Sequence, residues 1–200
     1  MRMRERVGIF GVVVFLGASL CASAGLALSA DTSAMTGWYG TLQLDNGIGL
    51  AANVDYAVYA PGTFGGSVPT NEYVYAYQAF SIGSVAVSTM TVGILEGNGA
   101  ANAQTDLTHG VSDGILPTYR LLLPGSSFYT AFLSPLLTAN THSVVLLFTS
   151  PNGPVKTNAS VINSGQSAQV FGAPTPLPEP ATLVLLGLSG LAVIRRHRGV

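Results

Sequence analysis

The sequence predicts an all-β domain, an antiparallel two-sheet β-sandwich of jelly-roll or immunoglobulin-like type, set between an N-terminal signal helix and a C-terminal transmembrane helix. Three observations carry this expectation. Apolar and polar side chains alternate with period two from Trp38 onward, the pattern of strands. Gly, Pro, Asn and Ser interrupt the chain often enough for eight to ten such elements. No window in 31–174 carries a capped apolar stripe at helical spacing.

The first segment, 1–30, reads as a signal peptide: Arg2, Arg4 and Arg6, then an uncharged stretch from Val7, then small residues ahead of Asp31. Cleavage is expected between Ala30 and Asp31, where polar sequence starts, with Ala24 as the alternative. An uncleaved anchor is the competing reading, because 7–30 is free of charge and about 20 apolar residues span a bilayer. Cys21 is the single cysteine and follows Leu20 rather than a small residue, so lipidation is not expected. A mature chain without Cys21 has no disulfide and no thiolate chemistry.

The ectodomain, 31–172, is then read strand by strand. The stretch 38–44 leads into Asp45-Asn46-Gly47, a hairpin turn. Alternation over 53–59 ends at Pro61-Gly62. In 72–81, Tyr73, Tyr75, Tyr77 and Ala79 share one face and Val74, Ala76, Gln78 and Phe80 the other. Both faces are largely apolar, as in a strand covered on both sides. A long β-branched run occupies 84–95, and 144–148 is a continuous apolar run expected to be a central strand. Further strands are expected over 118–123, 127–132, 155–162 and 167–171. The 29 Ser and Thr of 31–174 must supply much of the polar surface, since only 8% of the chain is charged against roughly 25% in ordinary globular proteins. Arg120 and Lys156 are the only bases in that span. This excludes a nucleic-acid footprint, which needs clustered Lys and Arg, and leaves strand edges thinly protected by charge.

The last segments are a Pro-rich linker at 173–180, an uncharged helix at 181–194 and a basic tail at 195–200. Fourteen helical residues cover about 21 Å of a hydrocarbon core of about 30 Å, a short span. Arg195, Arg196 and Arg198 are expected to stay cytoplasmic, as are the arginines of the leader. Both ends thus place the β-domain across the membrane.

The stretch Leu177-Pro-Glu-Pro-Ala-Thr-Leu-Val-Leu-Leu-Gly-Leu-Ser-Gly-Leu-Ala-Val-Ile-Arg-Arg-His-Arg198 resembles the PEP-CTERM sorting signal of Gram-negative bacteria in its Pro-Glu-Pro motif, apolar helix and Arg-rich tail. The resemblance implies recognition by exosortase, a membrane-embedded cysteine transpeptidase, and processing near Pro178, Glu179 and Pro180. It further implies anchorage in the inner membrane before processing, then release to the cell surface or an extracellular polysaccharide matrix. More loosely, 55–64, 73–78 and 148–154 resemble ectodomains found ahead of this signal.

Inside the domain the sequence offers little chemistry, and neither an enzyme nor a cofactor is expected. Asp106, His109 and Asp113 are a weak candidate for a metal site, with ligand types but no standard spacing. His109 and His142 lie in no hydrolase motif, and there is no Gly-x-Ser-x-Gly elbow. Gly62-Thr-Phe-Gly-Gly66 lacks the lysine of a phosphate loop. Asn158-Ala-Ser160 is read as strand polarity. Trp38, Tyr73, Tyr75 and Tyr77 are candidate saccharide contacts, because a row of aromatic faces can form a platform for sugar rings. Core packing competes with that role. The leading expectation is therefore an exported surface or matrix protein. A carbohydrate-binding or adhesive module that associates with exopolysaccharide comes second, and an extracellular polymer hydrolase third.

Overall fold

The computed structural model describes residues 26–95, 99–123 and 125–177. The leader through residue 25, the motif Pro178, Glu179 and Pro180, the segment 181–194 and the arginines Arg195, Arg196 and Arg198 lie outside the described residues. Among the described residues, no helix is long and apolar enough to cross a membrane.

Ten strands follow one short 3-10 turn, Leu28–Ala30. They are β1 (Tyr39–Asp45), β2 (Ala51–Tyr59), β3 (Tyr73–Ser81), β4 (Thr89–Gly93), β5 (Ala101–Asp106), β6 (Tyr119–Leu123), β7 (Ser127–Ala131), β8 (Val145–Ser150), β9 (Pro154–Asn163) and β10 (Gln166–Pro176). Two five-stranded antiparallel sheets result, ordered β1-β2-β3-β8-β5 and β10-β9-β4-β7-β6. The alternation read from the sequence sorts their side chains. Val54, Tyr75, Tyr77 and Leu146 of the first sheet meet Met90, Val92, Phe128 and Val161 of the second in one buried cluster. The rings of Phe128 and Phe148 pack edge to face across the gap, centroids 5.2 Å apart, the arrangement a ring quadrupole favours.

The first sheet is covered on its other face as well, as the two apolar faces of 72–81 implied. Ala57, Tyr59, Val74, Ala76, Val145 and Leu147 point there and bury Leu28, Ala34 and Phe64. The second sheet presents hydroxyls to water instead, with Thr91 Oγ1 and Ser160 Oγ 2.6 Å apart. Serine and threonine keep the β geometry while solvating the face.

Three departures from the expected elements have physical reasons. The run 84–95 yields only β4, because 84–88 leaves the sheet, and Val87 forms an isolated bridge with Leu137. β5, spelled Ala-Asn-Ala-Gln-Thr-Asp, is a strand the sequence pattern does not single out. It has no β-branched run and is held as an edge by β8 alone. The linker expected from residue 173 is still strand through Pro176, with Pro174 opposite Lys156 and Pro176 opposite Pro154. Proline is tolerated because β10 is an edge, where a missing N–H breaks no ladder on the open side.

The β1–β2 connection follows the expected turn chemistry. Gly47 N donates to Asp45 Oδ1, and Asn46 Oδ1 accepts from Ile48 N and Leu50 N, side-chain mimicry of a backbone turn.

Candidate functional site

Asn53 and Asp55 are the two polar residues on the covered face of β2, at positions where the rest of that face is apolar. Antiparallel pairing sets Thr41 opposite Asp55 on one side and Gln78 opposite Asp55 on the other. It also sets Phe80 opposite Asn53. The 3-10 turn crosses this end of the sheet and adds Ser29. The result is an open pocket of about 510 Å³ walled by Ser29, Thr41, Asn53, Asp55, Phe80 and Ser81, with Ile82, Val111 and Thr141 at its margin.

Asp55 is almost fully buried, at 7% exposure. Thr41 Oγ1 donates to its Oδ1 at 2.6 Å and Ser29 Oγ to its Oδ2 at 2.7 Å. Two hydroxyls therefore orient the carboxylate and leave each oxygen further acceptor capacity. Among the described residues the ion pair found is His109 with Asp106, so Asp55 is anchored by hydroxyls and not by a cation. Three buried side-chain polar atoms among the described residues lack a hydrogen-bond partner, and two of them, Asn53 Oδ1 and Ser81 Oγ, belong to residues that line this pocket. Such atoms are uncommon in folded proteins because each costs desolvation energy. Phe80 closes the apolar side, its ring stacked on His142 with centroids 5.3 Å apart. His142 Nε2 in turn donates to Ser112 O at 2.9 Å.

A second cluster lies further along the same face. Asp31 Oδ2 accepts from Tyr59 OH at 2.6 Å, and its Oδ1 accepts from Ser33 N and Ser33 Oγ. Burial pushes the Asp31 carboxyl up, but the bonds from Ser33 and Tyr59 outweigh it and hold it below the ordinary value. Asp106 behaves the same way: burial raises it, while bonds from His109 and Thr108 more than compensate. Burial also drives the Tyr59 phenol far upward, helped by its bond to Asp31. The His109 ring stacks on Phe64 with centroids 4.0 Å apart and approaches Tyr59 edge-on at 6.0 Å.

The residues singled out from sequence are distributed as follows. Asp106 and His109 meet, with Nδ1 and Oδ1 3.1 Å apart, but Asp106 Oδ1 is engaged as a cap for the turn at Thr108 and His109. Asp113 does not join them. Among the described residues no group of three His, Cys, Asp or Glu is placed to hold a metal ion, so the weak candidate is not assembled as a triad and Asp106 instead caps a turn. The tyrosine row is likewise corrected. Tyr75 and Tyr77 are fully buried between the sheets, where Tyr75 stacks on Phe148 at 5.1 Å. Tyr75 OH donates to Asn152 O and Tyr77 OH to Pro174 O. Tyr73 and Trp38 are partly buried against the same core. A sugar ring has no access to the faces of Tyr75 and Tyr77. Ala30 and Asp31 are woven into the fold: Leu28 is fully buried, Ser29 binds Asp55, and Ala30 N donates to Ala27 O at 2.9 Å.

Sequence reasoning did not single out Asp55, Asn53, Thr41 or Phe80. The available signal was a pair of strongly polar residues in a strand whose neighbours on both faces are apolar. The pocket holds one carboxylate among its described lining residues, whereas acid–base glycoside hydrolysis draws on two. Its chemistry is that of an oriented acceptor. No protein-family model, curated protein or solved structure matches the chain.

Proposed function

We propose that the chain is an exported, non-enzymatic surface or matrix protein whose β-domain is delivered by a signal peptide and sorted through a PEP-CTERM signal. In this reading an exosortase-type transpeptidase recognises Pro178, Glu179 and Pro180 while 181–194 sits in the inner membrane. Arg195, Arg196 and Arg198 hold the orientation, and processing sends the domain to the cell surface or extracellular matrix. The observation that carries the reading is the order of three unlike parts in one short tail: a Pro-Glu-Pro motif, an apolar stretch and a basic end. The fold belongs in this reading to the β-sandwiches, with jelly-roll-like and immunoglobulin-like connectivities as the two forms of its repeated crossing between sheets.

The leader ends after Ala24 rather than Ala30 in this proposal. Cleavage after Ala30 would remove Leu28 from the second apolar cluster and Ser29 from Asp55, whereas cleavage after Ala24 spares both. The small residues Ala22 and Ala24 meet the signal-peptidase pattern equally well.

Intact-mass spectrometry tests the proposal on protein expressed in a Gram-negative host with an exosortase and in the same strain without it. The expected product is an extracellular chain starting at Gly25 and ending near Pro178 to Pro180, formed only with the exosortase. A chain that keeps Arg195, Arg196 and Arg198 in the membrane of both strains would overturn the sorting step.

A further inference from the structure

We propose that the pocket bounded by Asp55, Asn53 and Phe80 binds a neutral, hydroxyl-rich ring, a single saccharide unit, at a site separate from the buried tyrosine row. The proposal goes beyond the sorting role and does not depend on it.

The polar wall decides what the ligand must offer. Asp55 accepts and cannot donate while ionised, and its oxygens are already aligned by Thr41 and Ser29. Asn53 Oδ1 is a second acceptor that no protein group uses. Among the described residues that line the pocket there is no lysine or arginine. An anion is therefore disfavoured by the field of Asp55, and a purely apolar ligand would leave Asn53 Oδ1 without a partner and the spare acceptor capacity of Asp55 unused. A ligand with several O–H donors satisfies both. Vicinal hydroxyls suit such a wall further, since one can donate to the carboxylate while its neighbour donates to Asn53 Oδ1.

The apolar part of the lining decides shape. Phe80, Ile82 and Val111 provide an apolar border beside the polar residues of β2, with Phe80 the cross-strand neighbour of Asn53. A pyranose ring has the matching asymmetry, hydroxyls around its rim and C–H groups on its face, and such rings rest on aromatic side chains. The volume falls within the roughly 300–1,000 Å³ of small-molecule pockets and accommodates a terminal sugar with room for its link to leave through the open mouth. An ammonium ligand would answer Asp55 alone. It would leave Asn53 Oδ1 and the apolar border unused.

The test is saturation-transfer NMR on the full chain in a detergent without a sugar headgroup, with glucose, galactose, mannose and N-acetylglucosamine as probes and ethanolamine as the cationic control. At least one sugar is expected to give saturable transfer, reduced about tenfold or more by Asp55→Asn. Ile82→Trp provides the second variant: Ile82 is 55% exposed, so the larger ring fills the mouth without entering the core, and it is expected to abolish transfer. If Asp55→Asn does not fold, Ile82→Trp decides alone. Transfer from no sugar, transfer unchanged in Ile82→Trp, or transfer from ethanolamine alone would each overturn the proposal. Failure of exosortase processing would leave this result untouched, so the two readings fail separately.

Discussion

Gln78 shows how one buried polar side chain can hold a loop to a sheet. It is fully buried, its Nε2 donates to Val111 O and Ser143 O, and its Oε1 accepts from Val111 N. Gly110 makes the approach possible. Its φ is +70°, which glycine adopts without penalty, and an added Cβ would lie 2.6 Å from Gln78 Oε1 and 2.5 Å from Val145 Cγ2, a closeness that the missing side chain permits. Gln78→Leu strands the partner groups in the interior and is expected to cost about 1–3 kcal/mol in chemical denaturation. A loss under about 0.5 kcal/mol would contradict the role. The depressed carboxyls of Asp31 and Asp106 set an acid limit at the same scale. Both bind protons more readily in the unfolded chain, so their stabilisation is complete above the ordinary carboxyl value of 3.8 and drains as pH falls through their lower folded values. Thermal unfolding of the chain is expected at a lower temperature near about pH 3 than near about pH 6, with a smaller drop in the Asp31→Asn/Asp106→Asn double variant. An equal drop would assign acid sensitivity elsewhere. At this scale the sequence spoke about parity and was silent about access. The alternation placed Tyr75 and Tyr77 on one face, but only the second sheet, which packs Phe128 against Tyr77, decides that this face is dry.

Among the elements, the segment ahead of β1 carries more of the fold than its polar start at Asp31 suggested. Leu28 is a fully buried side chain in the cluster above the first sheet, and Leu28→Ala is expected to lower unfolding free energy by about 2–5 kcal/mol, the usual range for a core leucine. A chain begun at Asp31 should lose at least as much relative to one begun at Gly25. Equal urea midpoints for the two chains would show the turn to be dispensable. The strands with strong alternation or apolar runs, β2, β3, β7, β8 and β9, were legible because hydrophobic period and β-branching agree in them. β5 was not, since Ala101, Asn102, Ala103 and Gln104 owe their extended form to β8. The end of β10 is hidden by Pro174 and Pro176, which ordinarily stop a strand, a rule that an edge strand escapes. The pocket was illegible for a related reason: Ser29, Thr41 and Asp55 are far apart in sequence and meet only through strand register and the crossing of the 3-10 turn.

The whole molecule is defined by scarcity of charge. Its formal net charge is −1 and its sequence pI about 6.2, near the condition in which proteins associate. The edge strand β6 exposes Tyr119, Leu121 and Leu123 in one row, with the exposed Arg120 as its only charge. Exposed apolar edges pair with other chains unless charge opposes it. Light scattering of the processed chain is expected to show association as concentration rises, relieved by Leu121→Lys. A monomer that persists toward about millimolar concentration would contradict this. The same scarcity was readable directly from composition, whereas which edge would carry the apolar row required the strand order.

β10 pairs with β9 at ten positions and runs on to Pro176, after which Leu177 N still donates to Gly153 O. A load applied beyond residue 177 would therefore enter the fold at the open end of the β9–β10 hairpin, where Pro176 faces Pro154, and the rungs there would bear it first.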